Sequence, residues 1–242
     1  MAIILIKKYR FQKMCNRKQF KVELDEAAKR FNVELAAVIE EITSGEQHAF
    51  DHPYSPIIRA ETPKLLETNY HWGLVPEHWQ TGKEDIWNKT YNAKLHELHL
   101  KNSYKNITHQ RCLVPVTSYF EHHWNDPKGK SKTLYEIWHP DNEIFSLAGL
   151  HSTWIDFDGS EYNSYTVITT NANERMKFVH NKDANIDYHR MPLMLNPEDE
   201  KSWLDTKIDY MEFEYPNYQP RLIAEPVAGQ APPPPPQLSL QF

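Results

Sequence analysis

The chain has 242 residues, 40% of them hydrophobic and 12% aromatic, a composition that supports one sizeable domain with a real core. Mean hydropathy is −0.72, and no apolar run approaches the roughly 20 residues that span a bilayer, so no membrane segment is expected. A formal charge of −6 argues against a broadly basic nucleic-acid coat, and two cysteines are too few for a disulfide framework, which leaves a reducing cytoplasm as the expected setting.

Residues 1–13 read as a leader, or as a start set too far upstream. Their short apolar stretch has its positive charges after it, the reverse of a secretory signal. Leu24, Ala27, Ala28 and Phe31 share one helical face and predict a helix. Leu35, Val38, Ile39 and Ile42 repeat that spacing and predict a second helix, ended by Ser44-Gly45. The stretch from Phe50 to Pro63 holds Pro53, Pro56 and Pro63 and reads as a loop. Short β-type runs follow at Arg111 to Val116, Thr133 to Trp138, Ile144 to Leu150, Tyr165 to Thr170 and Leu193 to Leu195, with a turn at Asp156 to Ser160. Asn196-Pro197-Glu198-Asp199 is a helix start, with a capping side chain, a proline at the first helical position and acids in the first turn. Trp203 and Leu204 would then face the core. Pro232 to Pro236 mark residues 228–242 as a disordered or extended tail. The expected fold is α+β: a single domain over 14–227, with a mostly antiparallel β core and flanking helices.

Several side chains along this order carry chemistry. Cys15 follows Met14. As an internal residue it would be an ordinary buried thiol. At a chain start it offers an amine with a pKa of about 7.7–8.0 and a thiol of about 8.5 on one framework. An aldehyde can form an imine with that amine and then close a five-membered thiazolidine with the sulfur. Trp72-Gly73-Leu74-Val75-Pro76 with Trp79 is either a packed corner or an apolar platform for unstacked bases. Asn92 is either a turn residue or an amide that orients a carbonyl or hydroxyl. Glu121 follows the aromatic pair Tyr119-Phe120, where a carboxylate is costly unless paired or protonated. It reads as a general acid or base, or as half of a buried ion pair with a lysine. His180 and His189 flank a polar stretch that leads into Arg190-Met191-Pro192, and histidine is the natural proton shuttle near neutrality. The cations available for a local DNA groove are Arg17, Lys18, Lys89, Lys94, Arg175, Lys177 and Arg190.

Taken in order, these pieces resemble the SRAP family, the SOS-response-associated peptidases that shield abasic sites. The resemblance rests on Met14-Cys15, Trp72 to Pro76 with Trp79, Asn92-Ala93, Arg111 to Pro115 and Glu121. It continues through Ala148-Gly149-Leu150, Thr169-Thr170, Val179-His180 and Arg190-Met191-Pro192, and so runs from Met14 to about Leu204. It implies a compact, mostly antiparallel β core with flanking helices. It implies Cys15 as an N-terminal nucleophile, Asn92 positioning the reacting sugar, Glu121 shuttling protons and His180 assisting the opening of deoxyribose to its aldehyde. Arg17, Trp72 and Lys94 fall where the family contacts DNA, and Arg190 joins them as a DNA-binding candidate. The implied partner of this expected monomer is single-stranded DNA carrying an abasic site, with no metal and no cofactor.

Departures from the family pattern are the thirteen residues before Met14, Lys94 in place of arginine, His96-Glu97 after it, and His122 in place of tryptophan. A longer loop from Asn181 to His189 makes His189 a competitor of His180, though Met176 to Asn181 match the family's approach to its histidine. Two other functions fit the same residues: a thiol peptidase that removes its own leader, with Glu121 or His180 as base, and a non-catalytic single-strand-binding protein.

Overall fold

A computed structural model describes residues 15–37, 40–42, 44–182 and 189–230. The leader, the proline run and the middle of the Asn181–His189 loop lie outside the described residues. In chain order the first elements are β1 (Arg17–Phe20), α1 (Leu24–Phe31), β2 (Glu34–Leu35), β3 (Gly45–His48), β4 (Tyr54–Arg59), β5 (Leu65–Trp72) and β6 (Asn92–Lys94). The middle of the chain supplies β7 (Arg111–Val116), β8 (Ser118–Trp124), β9 (Lys132–Trp138), β10 (Phe145–Ile155), β11 (Glu161–Asn171) and α2 (Glu174–Val179). The last elements are β12 (Arg190–Pro192), β13 (Met194–Leu195), α3 (Glu200–Leu204) and β14 (Ile223–Pro226). The result is a β-rich fold with a few short helices, close to the expected class.

Strands β11, β10, β7, β4 and β5 pair in that order, and β5 returns to β11 through the parallel pairs Ser164↔His71 and Tyr165↔Trp72. This closes a small barrel, so the sheet is mixed rather than purely antiparallel. Leu66, Thr68, Tyr70 and Trp72 alternate inward along β5, the period of two that a half-buried strand requires. All six residues of β7 are buried. Its one charge, Arg111, is satisfied by the carbonyls of Trp203, Asp205 and Ile208. The closure turns at Gly73, whose φ is +124°; a Cβ there would lie 2.8 Å from His52 Nδ1, so only glycine fits. A second sheet, in the order β14-β9-β8-β1-β3, packs beside the barrel.

The helix over Leu24–Phe31 forms as its periodicity predicts, buries Ala27 and Ala28, and ends at Asn32 in the left-handed conformation. The second predicted helix does not form in the described part. Leu35 lies in β2, held parallel to β5, and Ile42 lies in irregular chain; Val38 and Ile39 are outside the described residues. The Phe50–Pro63 stretch also needs correction, because it contains β4. Pro56 is tolerated there because the β4–β5 register shifts between Ser55 and Ile57, a bulge that removes the need for its missing N–H. Strands form at Arg111–Val116, 132–138, 145–155, 161–171 and 194–195, as the apolar runs indicate. Asn196 precedes a 3-10 turn, Pro197–Asp199, that runs into α3. Its side-chain Oδ1 accepts from the Arg221 backbone N–H instead of capping the helix.

A candidate active site at Cys15

Cys15 stands two residues ahead of β1. The antiparallel register Arg17↔Phe120 and Lys18↔Tyr119 carries that approach alongside Glu121 on β8. The Cys15 backbone nitrogen donates to Glu121 Oε1 at 2.5 Å. That nitrogen is a peptide amide while Met14 is attached, and it stands in for the amine of a chain that begins at Cys15. The other oxygen, Oε2, lies 3.0 Å from His180 Nδ1. An ionised carboxylate only accepts, so Nδ1 carries the proton, and Nε2 presents a lone pair while the imidazole is neutral. Nε2 is enclosed and has no hydrogen-bond partner among the described residues.

Local structure sets each of these positions. The Asn173 side chain caps α2 by accepting from the Met176 N–H at 2.9 Å, and the His180 N–H closes the helix on the Met176 carbonyl at 2.7 Å. The turn delivers the His180 ring onto β8. His189 donates from Nδ1 to the His180 carbonyl at 2.6 Å, so it ties to His180 at the backbone, while the His180 ring meets the carboxylate. Asn92 begins β6, which lies parallel to β11 through Val167↔Asn92, and its Nδ2 donates to the Cys15 carbonyl at 2.9 Å. Cys15, Asn92, Glu121 and His180 are therefore brought together from four separate parts of the chain.

Glu121 is 7% exposed, and the ion-pair alternative with a lysine is not what surrounds it: its partners are the Cys15 nitrogen and His180. Burial, and then the Glu121 charge, pushes the Cys15 thiol well above its ordinary range, while Lys18 pulls it back. Tyr91, buried beside them, is pushed up to about 12, first by burial and then by the charges of Cys15 and Glu121.

The DNA-contact candidates fare unequally. Trp72 is 0% exposed; its Nε1 donates to the Tyr91 carbonyl at 2.9 Å and its ring stacks with Tyr165. Leu74 and Val75 are also fully buried, so Trp72 to Val75 pack as a corner with no exposed face on Trp72, whereas Trp79 is half-buried. Arg17 is held bidentately by Glu46, with Nε at 2.9 Å and Nη2 at 2.5 Å. Lys94 pairs with Glu97 at 2.5 Å. Arg190 is different: it is 9% exposed, and among the described residues its one side-chain hydrogen bond, to Thr169 Oγ1, is long at 3.4 Å and no carboxylate forms an ion pair with it. Of the other cations, Lys18 is wholly buried, Arg175 serves the Ala224 carbonyl, Lys89 the Asp85 carbonyl, and Lys177 pairs with Glu174. Sequence reading did not single out Tyr91 as a neighbour of the site.

The fold and site together define a small β-barrel protein whose cysteine, carboxylate and histidine converge at the approach to its first strand. Residues 14–228 match the family model for SOS response associated peptidase (SRAP), and the chain belongs to that family. It is 30% identical over 200 residues to the abasic site processing protein YoqW of Bacillus subtilis (strain 168), covering 80% of this chain and 81% of that one. It is 28% identical over 172 residues to the abasic site processing protein HMCES of Gallus gallus, covering 60% of this chain and 47% of that protein. A crystal structure of a Bacteroides thetaiotaomicron protein superposes with a TM-score of 0.75 at 26% identity, over 89% of this chain and 93% of that one. A Bordetella bronchiseptica protein shares the fold with a TM-score of 0.72 at 22% identity, over 88% and 99% of the two chains.

Proposed function

We propose that the chain captures abasic sites in single-stranded DNA by forming a covalent thiazolidine at Cys15, once that residue is the first of the chain. The reading rests on one observation above all: the Cys15 nitrogen sits on a buried carboxylate that a histidine also touches. The family membership and the names of the relatives support the substrate. His180 and Glu121 assist opening of the deoxyribose hemiacetal to its aldehyde, moving a proton from the ring hydroxyl toward the ring oxygen. The Cys15 amine adds to the aldehyde carbon and water leaves, giving an imine. Sγ then forms the C–S bond as the C=N electron pair moves to nitrogen, which takes up a proton. Glu121 lies on that nitrogen throughout and can remove or return the proton. Asn92 fixes the Cys15 carbonyl so that amine and sulfur hold one orientation.

Arg190 is the cation that supports binding of a phosphate. Arg17 and Lys94 bind DNA only by exchanging Glu46 and Glu97 for it. Trp72 serves as the wall behind the nucleophile. The role of 1–13 as a removable leader, of 14–227 as the working domain and of 228–242 as a tail belongs to the same proposal. Intact mass spectrometry after incubation with an abasic oligonucleotide tests it. The adduct should weigh the sum of protein and DNA less one water, and Cys15→Ala should give none. An adduct of equal yield from the alanine variant would refute the assignment.

A second reading, self-removal of the leader, is favoured by the same hydrogen bond. With Met14 attached, Glu121 lies on the nitrogen of the Met14–Cys15 peptide bond. Attack by Sγ on the Met14 carbonyl carbon would transfer the acyl group to sulfur while the nitrogen gains a proton, and water would then hydrolyse the thioester. The two readings are sequential, because the first product is the amine that the capture reaction needs.

A further inference from the structure

The chain carries a formal charge of −6, yet the turn between β8 and β9 is strongly cationic. It reads Asn125-Asp126-Pro127-Lys128-Gly129-Lys130-Ser131 and leads into Lys132, and Lys128, Lys130 and Lys132 are all exposed. The one acid, Asp126, is turned to the backbone, where it accepts from the Lys128 N–H at 2.9 Å and the Ser131 N–H at 2.6 Å. Gly129, with φ +61°, closes the turn onto Trp124, since a Cβ there would lie 2.6 Å from the indole ring. Among the described residues, none of the three lysine side chains forms an ion pair with a carboxylate.

A fourth lysine reaches the same ring from another part of the chain. Asn181 is clamped to β8 at Trp124: its Oδ1 accepts from the Trp124 N–H at 2.7 Å, and its Nδ2 donates to the Trp124 carbonyl at 2.9 Å. That clamp sets Lys182 over the indole, with Nζ 5.3 Å from the ring centroid, while Lys132, the cross-strand partner of Trp124, has its Nζ 5.1 Å from it. The negative face of an indole attracts a cation, so Trp124 gathers two ammonium groups that repel each other. Lys182 likewise has no carboxylate in an ion pair among the described residues. Four like charges held in one place are unfavourable unless an anion shares the space.

We propose that Lys128, Lys130, Lys132 and Lys182 bind the backbone phosphates of the single strand that flanks an abasic site held at Cys15. The inference rests on the reading of Cys15 as the place of capture and adds the path of the neighbouring strand. Both segments that build the cluster run out of that site: Lys182 is two residues past His180, and Trp124 is three past Glu121 on β8, roughly 10 Å along an extended strand. Lysine meets phosphate as a point charge, and phosphate contacts position a strand without reading its sequence. The lysine ends and Gly129 already crowd the Trp124 ring, so it gathers charge rather than stacking a base. Arg190 holds a phosphate at the site, and the lysine cluster holds those beyond it.

The test uses the full chain and an undamaged single-stranded oligonucleotide in a filter-binding salt series. Lys128, Lys130 and Lys132 are changed together to Gln, and Lys182→Gln is made separately. A control changes Lys64, Lys201 and Lys207 to Gln, three exposed lysines elsewhere on the chain, for the same change in net charge. Each lost phosphate contact should make the slope of log affinity against log salt shallower by about 0.7, so the triple variant should lose about 2 and Lys182→Gln about 0.7. The loss should be the same for strands of any sequence, and the control should keep the wild-type slope. An unchanged slope in the triple variant, or an equal loss in the control, overturns the proposal. Crosslinking to an abasic oligonucleotide is run in parallel. If the wild-type chain starting at Cys15 makes no crosslink while the triple variant still loses its slope, covalent capture fails and the phosphate surface stands.

Discussion

Glu121→Gln is the most informative single substitution, because it removes charge and proton transfer while keeping shape. The glutamine amide oxygen can take the place of Oε1 and accept from the Cys15 nitrogen. Its NH2 group then faces His180 Nδ1, which can accept once the imidazole shifts its proton to Nε2. Both buried contacts survive as neutral hydrogen bonds, so the stability change should stay within about 1 kcal/mol. Glu121→Ala strands both partners and should cost about 1–3 kcal/mol for each group left unsatisfied. In a single-turnover crosslinking assay with excess protein beginning at Cys15, the loss of a positioned acid–base group slows capture by about 10²–10⁴-fold. Reversal should slow comparably, since the same carboxyl serves both directions. Glu121→Gln that stays folded and reacts at the wild-type rate would show that the carboxylate only holds the chain in place.

His180→Gln should slow capture by about 10²-fold or more, whereas His189→Ala should leave the rate near wild type; the reverse result in the same assay would move the proton shuttle to the loop histidine. Arg190→Met should weaken binding to single strands of any sequence, and the slope of log affinity against log salt should become shallower by about 0.7; an unchanged slope in a filter-binding salt series would remove Arg190 from the DNA path. Lys18 also makes stability depend on pH. Its folded value is lowered to about 7 from the usual 10.5, so between those values unfolding takes up a proton, and raising the pH favours the folded state. Relative to Lys18→Met, the wild type should gain up to about 1.4 kcal/mol per pH unit across that window, read by urea denaturation; a flat difference would mean that the lysine is charged in both states.

Much of the fold was legible where one physical rule dominated. The runs at Arg111–Val116 and Tyr165–Thr170 form central strands because apolar and β-branched side chains fill both faces of a buried sheet. Leu35 to Ile42 misled because helical spacing over a few residues is weak against a ready partner, and Leu35 pairs with β5 instead. Pro56 concealed β4, since a bulge is set by the neighbouring strand and not by the local residues. For the candidate site, the motifs pointed to Cys15, Asn92, Glu121 and His180, but their convergence depends on the long-range β1–β8 register and on the α2 turn that brings His180 to β8. Trp72 shows the limit of motif reading: the tryptophan is where the pattern puts it, and burial decides what it can touch.

The central claim is tested most directly by denaturing electrophoresis of the protein after incubation with a single-stranded oligonucleotide carrying an abasic site. Three forms are compared: a chain beginning at Cys15, the same chain with Cys15→Ala, and a chain that retains residues 1–14. The account predicts a heat-stable shifted band from the first alone. A shifted band of equal intensity from the alanine variant, or from the chain whose Cys15 nitrogen is still a peptide amide, would contradict it.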